Sequence, residues 1–278
     1  MALIGDMNTL QVIRQADFGV YLDGGPQGDI LLPRREMPKG EPCEDEDWVN
    51  VFVYLDSEDR IIATSRTPTI KVGEFASLKV IDINRIGLFL DWGLNKDLLL
   101  PHSEEKRPLQ IGDYCVVYAY IDERTKRITA TAHLDRYVDR TPAHYSVGQE
   151  VDLLIVEPTD LGFKAIINSE HWGLIHKNEA FKFLRGGMQE RGFIREVRDD
   201  GLSNLSLQPQ GQELRDSLSE AILTQLRDND GRLALSDKSP APLIAQTFGV
   251  SKGNFKKAIG GLYKQGMIRI LRDAIELV

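Results

Sequence analysis

Apolar and polar residues alternate in short runs along the first two thirds of the chain, and one pattern of such runs occurs three times. In each copy an apolar residue precedes a glycine, an alternating run follows, and a turn leads into a second short apolar run. Alternation of period two between glycine-containing turns is typical of paired β-strands. The three glycines in this position are Gly19, Gly87 and Gly162. The pattern therefore predicts an internally repeated β structure.

The spacing within the copies supports the repeat. An interval of 12 positions joins equivalent residues, namely Tyr21 and Pro33, Phe89 and Pro101, and Lys164 and His176. Further alternating runs follow, so that the first two copies each hold five candidate strands, and the third is less regular. Five short strands joined by tight turns are typical of an OB-fold barrel, whose closure removes exposed sheet edges.

Beyond Gly211 the apolar period becomes helical. One apolar face is formed by residues four positions apart, namely Leu214, Leu218, Ile222 and Leu226. Ser239 and Ser251 are suitable capping residues for two further helices, and two short apolar runs follow them. The order of helix, helix, tight turn, helix and hairpin is typical of a winged helix-turn-helix.

These patterns predict a mainly β chain with a C-terminal α+β domain. Prolines that interrupt the strand patterns mark the expected domain boundaries. We expect three tandem five-stranded OB-fold barrels over residues 1–66, 67–140 and 141–211, followed by a winged helix over residues 212–278.

Charge and cysteine content narrow the functional classes. The chain has 34 basic and 42 acidic residues and a formal net charge of −8, which argues against a general nucleic-acid coat. Residues 213–278 hold 10 basic and 8 acidic residues, so this part carries +2 and the remainder −10. Cys43 and Cys115 fit no metal or redox spacing. The N-terminus lacks a signal-peptide pattern, and no apolar run is long enough for a membrane span. We therefore expect a protein of a reducing compartment.

The repeats resemble S1-type RNA-binding domains, whose motif is an aromatic-Gly-x-aromatic strand followed by a Gly-Leu-Val-His-like strand. Three such domains followed by a winged helix resemble the bacterial conserved virulence factor B family of RNA-binding regulators. The resemblance covers essentially the whole chain. It implies a cytoplasmic, non-enzymatic protein that binds RNA.

The family's motif residues can be carried over onto each repeat. Its two stacking residues correspond to Phe18 and Tyr21, Ile86 and Phe89, and Leu161 and Lys164. Its histidine survives only as His176, because the equivalent residues are prolines. Its Asp–Arg pair around the last turn corresponds to Asp56 and Arg60 and to Asp122 and Arg127, and is absent at Arg198 and Leu202. No repeat has the complete set.

RNA binding in the first repeat depends on where its aromatic rings point. Single-stranded RNA exposes base faces, which stack on aromatic rings for roughly 1–3 kcal/mol per base. Phe18 and Tyr21 are three positions apart, so on a regular strand they face opposite sides. A bulge at Gly19 would bring them together, whereas without it one ring belongs to the core. The complete set of RNA-binding candidates is Phe18, Tyr21, Arg34, Arg35, Asp56, Arg60, Arg85, Phe89, Arg127, Lys164, His176 and Lys177.

A basic surface is also expected on the winged helix. Its candidates for nucleic-acid contact are Lys252, Lys256, Lys257, Lys264, Arg269 and Arg272. Asn254 and Gln265 are the only amides on this surface, so phosphate contact is favoured over base-specific readout. The alternative is that the winged helix packs against a partner domain.

Motifs for catalysis are missing. The chain has no phosphate-binding Gly-x-x-x-x-Gly-Lys loop, no dinucleotide-binding glycine motif and no His-Glu-x-x-His helix. Its five histidines are not joined by a cysteine at zinc spacing. We therefore predict no enzyme activity, no cofactor and no metal, and expect a single-stranded RNA-binding regulator that does not act at a membrane. Two alternatives stay open: a transcription regulator whose winged helix binds duplex DNA, and a protein-interaction scaffold.

Overall fold

The computed structural model describes residues 2–40, 43–141, 143–177, 179–180, 182–209 and 211–278, with the backbone alone at residues 212 and 213. The described residues form three closed five-stranded barrels, and a three-stranded sheet with helices follows. The predicted fold class is confirmed. No helix in this described part of the chain is long and apolar enough to cross a membrane.

Each barrel has the same strand topology, in which the third and fifth strands pair in parallel and the other neighbours are antiparallel. Barrel 1 consists of β1 (Met7–Ala16), β2 (Gly19–Asp23), β3 (Asp29–Pro33), β4 (Trp48–Leu55) and β5 (Ile61–Thr64). Barrel 2 consists of β6 (Phe75–Asn84), β7 (Gly87–Asp91), β8 (Leu98–Pro101), β9 (Tyr114–Ile121) and β10 (Ile128–Thr131). Barrel 3 consists of β11 (Glu150–Pro158), β12 (Gly162–Ile167), β13 (His171–His176), β14 (Gln189–Val197) and β15 (Leu202–Ser206).

The repeated glycine has the same structural role in the three barrels. Its strand partners are Pro33, Pro101 and His176 for Gly19, Gly87 and Gly162, respectively. A Cβ atom at any of these glycines would lie closer than 3.0 Å to a carbonyl oxygen of the neighbouring strand. The position therefore requires glycine because the two backbones approach so closely.

Barrel 1 has a hydrophobic core of its own and also contributes Phe52 and Tyr54 to the core of barrel 2. Phe52 of β4 is fully buried, and its ring meets the Trp92 ring edge-on with centroids 5.7 Å apart. A salt bridge of 2.9 Å joins Lys71 Nζ to Asp6 Oδ1 between the same two barrels. The chain as a whole divides into two compact units, Met1–Tyr137 and Val138–Val278. The boundaries of the four expected domains stay a prediction.

The C-terminal region is a winged helix built around a separate core. Its elements are α1 (Gln212–Asp228), β16 (Arg232–Leu233), α2 (Ala241–Phe248), α3 (Lys252–Lys264), β17 (Ile268–Ile270) and β18 (Ile275–Leu277). The predicted apolar faces of α1 and α3 are buried against each other, with Ile222 and Phe255 fully covered.

The two expected helix caps have different outcomes. The Ser251 hydroxyl accepts a hydrogen bond from the Asn254 amide at 3.1 Å and caps α3, as predicted. The expected Ser239 cap of α2 is wrong, because Pro240 occupies the cap position. The Ser239 hydroxyl instead accepts a bond from the Ser236 amide at 2.8 Å and closes the preceding turn.

Candidate nucleic-acid interface

The two aromatic side chains of barrel 1 lie together at its surface. Phe18 precedes β2 and is 57% exposed, and Tyr21 is half-buried. Their ring centroids are 6.3 Å apart in an edge-to-face arrangement. Because Phe18 lies before the strand begins, strand alternation does not force it to the face opposite Tyr21.

The bulge expected at Gly19 is wrong. Gly19 pairs regularly with Ala16 on one side and with Pro33 on the other. The register shift lies on the partner strand β1, between Val12 and Arg14. It places Arg14 opposite Tyr21, with the guanidinium carbon 4.0 Å from the ring centroid. Arg14 is thus a cation–π partner that the sequence reasoning missed.

The predicted pair Asp56 and Arg60 is present in barrel 1. Arg60 donates from Nε and Nη2 to Asp56 Oδ2 at 2.9 and 2.7 Å, and from its backbone amide to Oδ1 at 3.0 Å. Burial acts to raise the pKa of Asp56, but the hydrogen bonds from Arg60 and from the Glu58 amide, together with the charge of Arg60, outweigh it and the pKa is lowered. The carboxylate therefore stays ionised and fixes the arginine.

Phe18 and the pair Asp56 and Arg60 line one groove of about 610 Å³. The predicted candidates that line it are Phe18, Arg34, Arg35, Asp56 and Arg60. Tyr54, Asn95 and Lys96 also line it and were missed by the sequence reasoning. Asn95 and Lys96 come from barrel 2, so no motif inside the first repeat could have indicated them.

Barrel 2 presents a weaker version of this surface. Ile86 occupies the Phe18 position and is 52% exposed, Phe89 is half-buried and Arg85 is exposed. His102 follows the proline of β8 and donates from Nε2 to the Asn84 carbonyl at 2.7 Å, while its Nδ1 contacts Glu105. The Asn84 carbonyl, and after it Glu105, raise the pKa of His102.

The expected pairing of Asp122 with Arg127 is wrong. Asp122 Oδ1 accepts hydrogen bonds from the Thr125 amide and hydroxyl, because the turn is one residue longer than in barrel 1. Arg127 instead donates to both carboxylate oxygens of Asp59 in barrel 1, at 2.7 and 2.9 Å. In this structure Arg127 links the two barrels.

Barrel 3 presents different groups at the equivalent positions. Leu161 is 63% exposed, and Lys164 Nζ lies 3.7 Å from the centroid of the buried Trp172 ring. His176 donates from Nε2 to Asn204 Oδ1 at 3.1 Å, and Lys177 is exposed. The structure therefore brings His176 and Lys177 to the edge of the barrel, and Leu161 and Lys164 take the positions of the aromatic pair of barrel 1.

A largely covered glutamate carboxylate recurs behind these surfaces and was also missed; its side chain is 2% exposed at Glu36, 17% at Glu104 and 13% at Glu179. It accepts a hydrogen bond from a hydroxyl of the last strand at 2.8, 2.6 and 2.9 Å in the pairs Glu36 and Thr64, Glu104 and Thr131, and Glu179 and Ser206. Each carboxylate also has an arginine partner, namely Arg66, Arg136 and Arg195, respectively. The available signal was a glutamate three positions after Pro33, Pro101 and His176. The network anchors the segment that carries the candidate cations.

The basic residues of the winged helix differ in their surroundings. Lys256, Lys264, Arg269 and Arg272 are exposed and Lys252 is half-buried. Lys256 Nζ lies 3.7 Å from Asp237. Lys257 is also exposed and lines a cleft of about 300 Å³ beside barrel 3, together with Arg195 and Arg215. Contact of this basic surface with nucleic acid stays a prediction.

Comparisons with known proteins agree with this architecture. The family model of the S1 domain matches residues 4–66 and 72–133, and that of the CvfB-like winged helix domain matches residues 220–277. These are nucleic-acid-binding domain types.

Full-length relatives have the same extent. Bacillus subtilis YitL is 33% identical over 95% of this chain and 90% of its own length. Conserved virulence factor B of Staphylococcus haemolyticus is 28% identical over 99% of this chain and 94% of its own. A solved multidomain protein with nucleic acid binding domains from Streptococcus pneumoniae is 25% identical, with a TM-score of 0.44 over 99% of this chain and 98% of its own.

Proposed function

This chain belongs to the conserved virulence factor B family, and on that premise we propose that it binds single-stranded RNA without catalysing a reaction on it. The observation that carries the proposal is the groove of barrel 1, where exposed Phe18 lies beside Tyr21 and three arginines. A cytoplasmic, post-transcriptional regulatory role is the part of the proposal that the family resemblance supplies.

The groove matches the chemistry of a single strand. An unpaired base can stack on the exposed Phe18 ring, which is worth roughly 1–3 kcal/mol per base and is tolerant of sequence. Arg34, Arg35 and Arg60 lie close enough to this ring to line the same groove and can meet the adjoining phosphates. A duplex keeps its base faces stacked, so this surface favours single strands.

The winged helix can supply further phosphate contacts to the same RNA. Lys256, Lys264, Arg269 and Arg272 are exposed on it, whereas few side chains there can read bases. Because the barrels and the winged helix are joined in one chain, a second contact with the same RNA is intramolecular and raises the total affinity.

Binding to duplex DNA through α3 is the second candidate function, and exposed Lys256 and Lys264 favour it. Fluorescence anisotropy with labelled single-stranded RNA and duplex DNA at low salt separates the two. We expect the full chain to prefer RNA, and Phe18→Ala to weaken that binding.

Trp48→Ala is the matched control, because Trp48 is also an exposed aromatic of barrel 1 but does not line the groove. Equal affinity of wild type and Phe18→Ala for RNA would show that the groove is not part of the RNA-binding site. A preference for duplex would reject the RNA proposal as a whole.

A further inference from the structure

The groove of barrel 1 has a wall that comes from barrel 2. Asn95 and Lys96 lie in the turn between β7 and β8, and both line the groove. The Lys96 ammonium donates to the carbonyls of Leu55 and Asp56, each at 2.8 Å. Lys96 is half-buried, and this burial lowers its pKa. The turn that follows β4 is therefore held by a cation from the neighbouring barrel.

That turn is the one that orients Arg60. The Asp56 amide donates to the Arg60 carbonyl at 2.9 Å, and the Asp56 carboxylate accepts three hydrogen bonds from Arg60. Lys96 fixes the carbonyl of the same aspartate. A continuous chain of hydrogen bonds thus runs from Lys96 through Asp56 to the Arg60 guanidinium.

Asn95 is connected in the same way to the other cationic segment. Its side-chain amide donates to Glu36, whose carboxylate is 2% exposed and also holds Thr64 and Arg66. Glu36 is the last residue of the short 3-10 helix Arg34–Glu36, which carries the remaining two arginines of the groove. Two adjacent residues of barrel 2 therefore anchor both segments that bring cations into the groove of barrel 1.

The charges in the groove show why this anchoring matters for a polyanion. The lining residues include four basic side chains and two acidic ones, Asp56 and Glu58. Arg60 is bonded to Asp56 and lies 3.1 Å from Glu58, so the position of its guanidinium in the groove depends on the shape of that turn. A mobile turn would let the carboxylates face the phosphates.

We propose that barrels 1 and 2 form one composite binding site for single-stranded RNA, in which Lys96 and Asn95 of barrel 2 are positioning residues for the arginines of barrel 1. The inference rests on the proposed function and adds that barrel 1 is incomplete without its neighbour. The core of barrel 2, to which Phe52 and Tyr54 contribute, and the bond between Arg127 and Asp59 keep the two barrels in this arrangement.

The test compares Lys96→Met with Lys79→Met in the full chain. Lys79 is an exposed lysine of β6 that does not line the groove. Lys79→Met therefore removes the same charge from the protein but leaves the turn that orients Arg60 in place. With a labelled single-stranded RNA, we expect Lys96→Met to weaken binding about tenfold and Lys79→Met less than about twofold. Equal affinities of the two variants would overturn the inference while leaving the proposed function intact.

A double-mutant cycle separates positioning from a general loss of stability. If Lys96 acts through Arg60, Lys96→Met should have less than about a twofold effect on RNA affinity in the Arg60→Ala background. The same tenfold loss in both backgrounds would overturn the positioning role. Asn95→Ala, at an exposed side chain, gives a second test if Lys96→Met lowers the unfolding temperature. Absence of RNA binding by the wild type would instead reject the proposed function.

Discussion

Barrels 1 and 3 have the same strand order, the same close glycine and an equivalent glutamate bonded to a hydroxyl of the last strand, yet they expose different chemistry at equivalent positions. Phe18 and Tyr21 form an aromatic pair in barrel 1, whereas Leu161 and Lys164 take those positions in barrel 3. The backbone contacts thus recur where the fold needs them, and the side chains at the binding edge vary. The sequence repeat therefore predicts the backbone geometry of each barrel well, but it predicts poorly which ligand the barrel binds.

The largest loss of stability is expected at the close glycine, which the barrels have in common. Gly162→Ala would bring a Cβ within 3.0 Å of the Ile175 carbonyl, and we expect a loss of about 3 kcal/mol or more in unfolding free energy. Urea unfolding measures the loss, and hydrogen exchange of β12 peptides assigns it to barrel 3. Gly260→Ala in α3 is the control, because a Cβ there meets nothing within 4 Å and should stabilise the helix by about 0.5–1 kcal/mol. Equal stability of the two variants would refute the backbone argument.

The equivalent glutamates of barrels 1 and 3, Glu36 and Glu179, should contribute unequally to stability. Glu36→Ala leaves the Thr64 hydroxyl and Arg66 without their buried acceptor, and we expect a cost of about 2–3 kcal/mol. Glu179→Ala should cost about 1 kcal/mol, since the Glu179 side chain is 13% exposed against 2% for Glu36, and Glu36 also accepts a hydrogen bond from Asn95. Urea midpoints compare the two variants, and a larger loss for Glu179→Ala would contradict the role of Asn95.

The aromatic pair is where the two barrels should differ in binding. Replacing Phe18 and Tyr21 together by Ala removes one stacking platform, and we expect RNA affinity to fall by about 1–2 kcal/mol. Leu161→Ala in barrel 3 should change it by less than about 0.5 kcal/mol, because no ring is removed. Anisotropy titrations with one RNA compare the variants, with circular dichroism to show that each is folded. An equal loss from both would mean that stacking does not distinguish the barrels.

The three repeats and the winged helix could be predicted because they depend on local patterns. Alternation, close glycines and the Ser251 cap are each visible within a few residues of sequence. The site was predicted only in part. Asp56 with Arg60 was found because both residues flank one turn, whereas Arg127 was assigned to the wrong partner because its aspartate, Asp59, lies in another barrel. Lys96 was missed for the same reason: a contact between repeats leaves no periodic signal.

The basic residues of the winged helix should have a smaller effect, visible in the salt dependence. Replacing exposed Lys256 and Lys264 by Ala removes up to two phosphate contacts, and each contact contributes about 0.7 to the slope of log affinity against log salt. We therefore expect a slope shallower by about 1.4 for the double variant. Lys257→Ala is the internal comparison, since Lys257 lines the cleft beside barrel 3. An unchanged slope for the double variant would show that Lys256 and Lys264 do not contact RNA phosphates.

The smallest effect concerns the residue after the paired proline or histidine, which is Arg34 in barrel 1, His102 in barrel 2 and Lys177 in barrel 3. His102 is the titratable member near neutral pH, and its hydrogen bonds to the Asn84 carbonyl and Glu105 raise its pKa above the unfolded value. A raised folded pKa means that the protonated form stabilises the fold below the unfolded pKa of 6.5, and that this contribution is lost as pH rises through the folded value. At about pH 5.5, wild type should therefore unfold at a higher urea concentration than His102→Gln. At about pH 9, the difference between the two urea midpoints should be smaller. A difference that grows with pH would show that neutral His102 is the form the fold prefers.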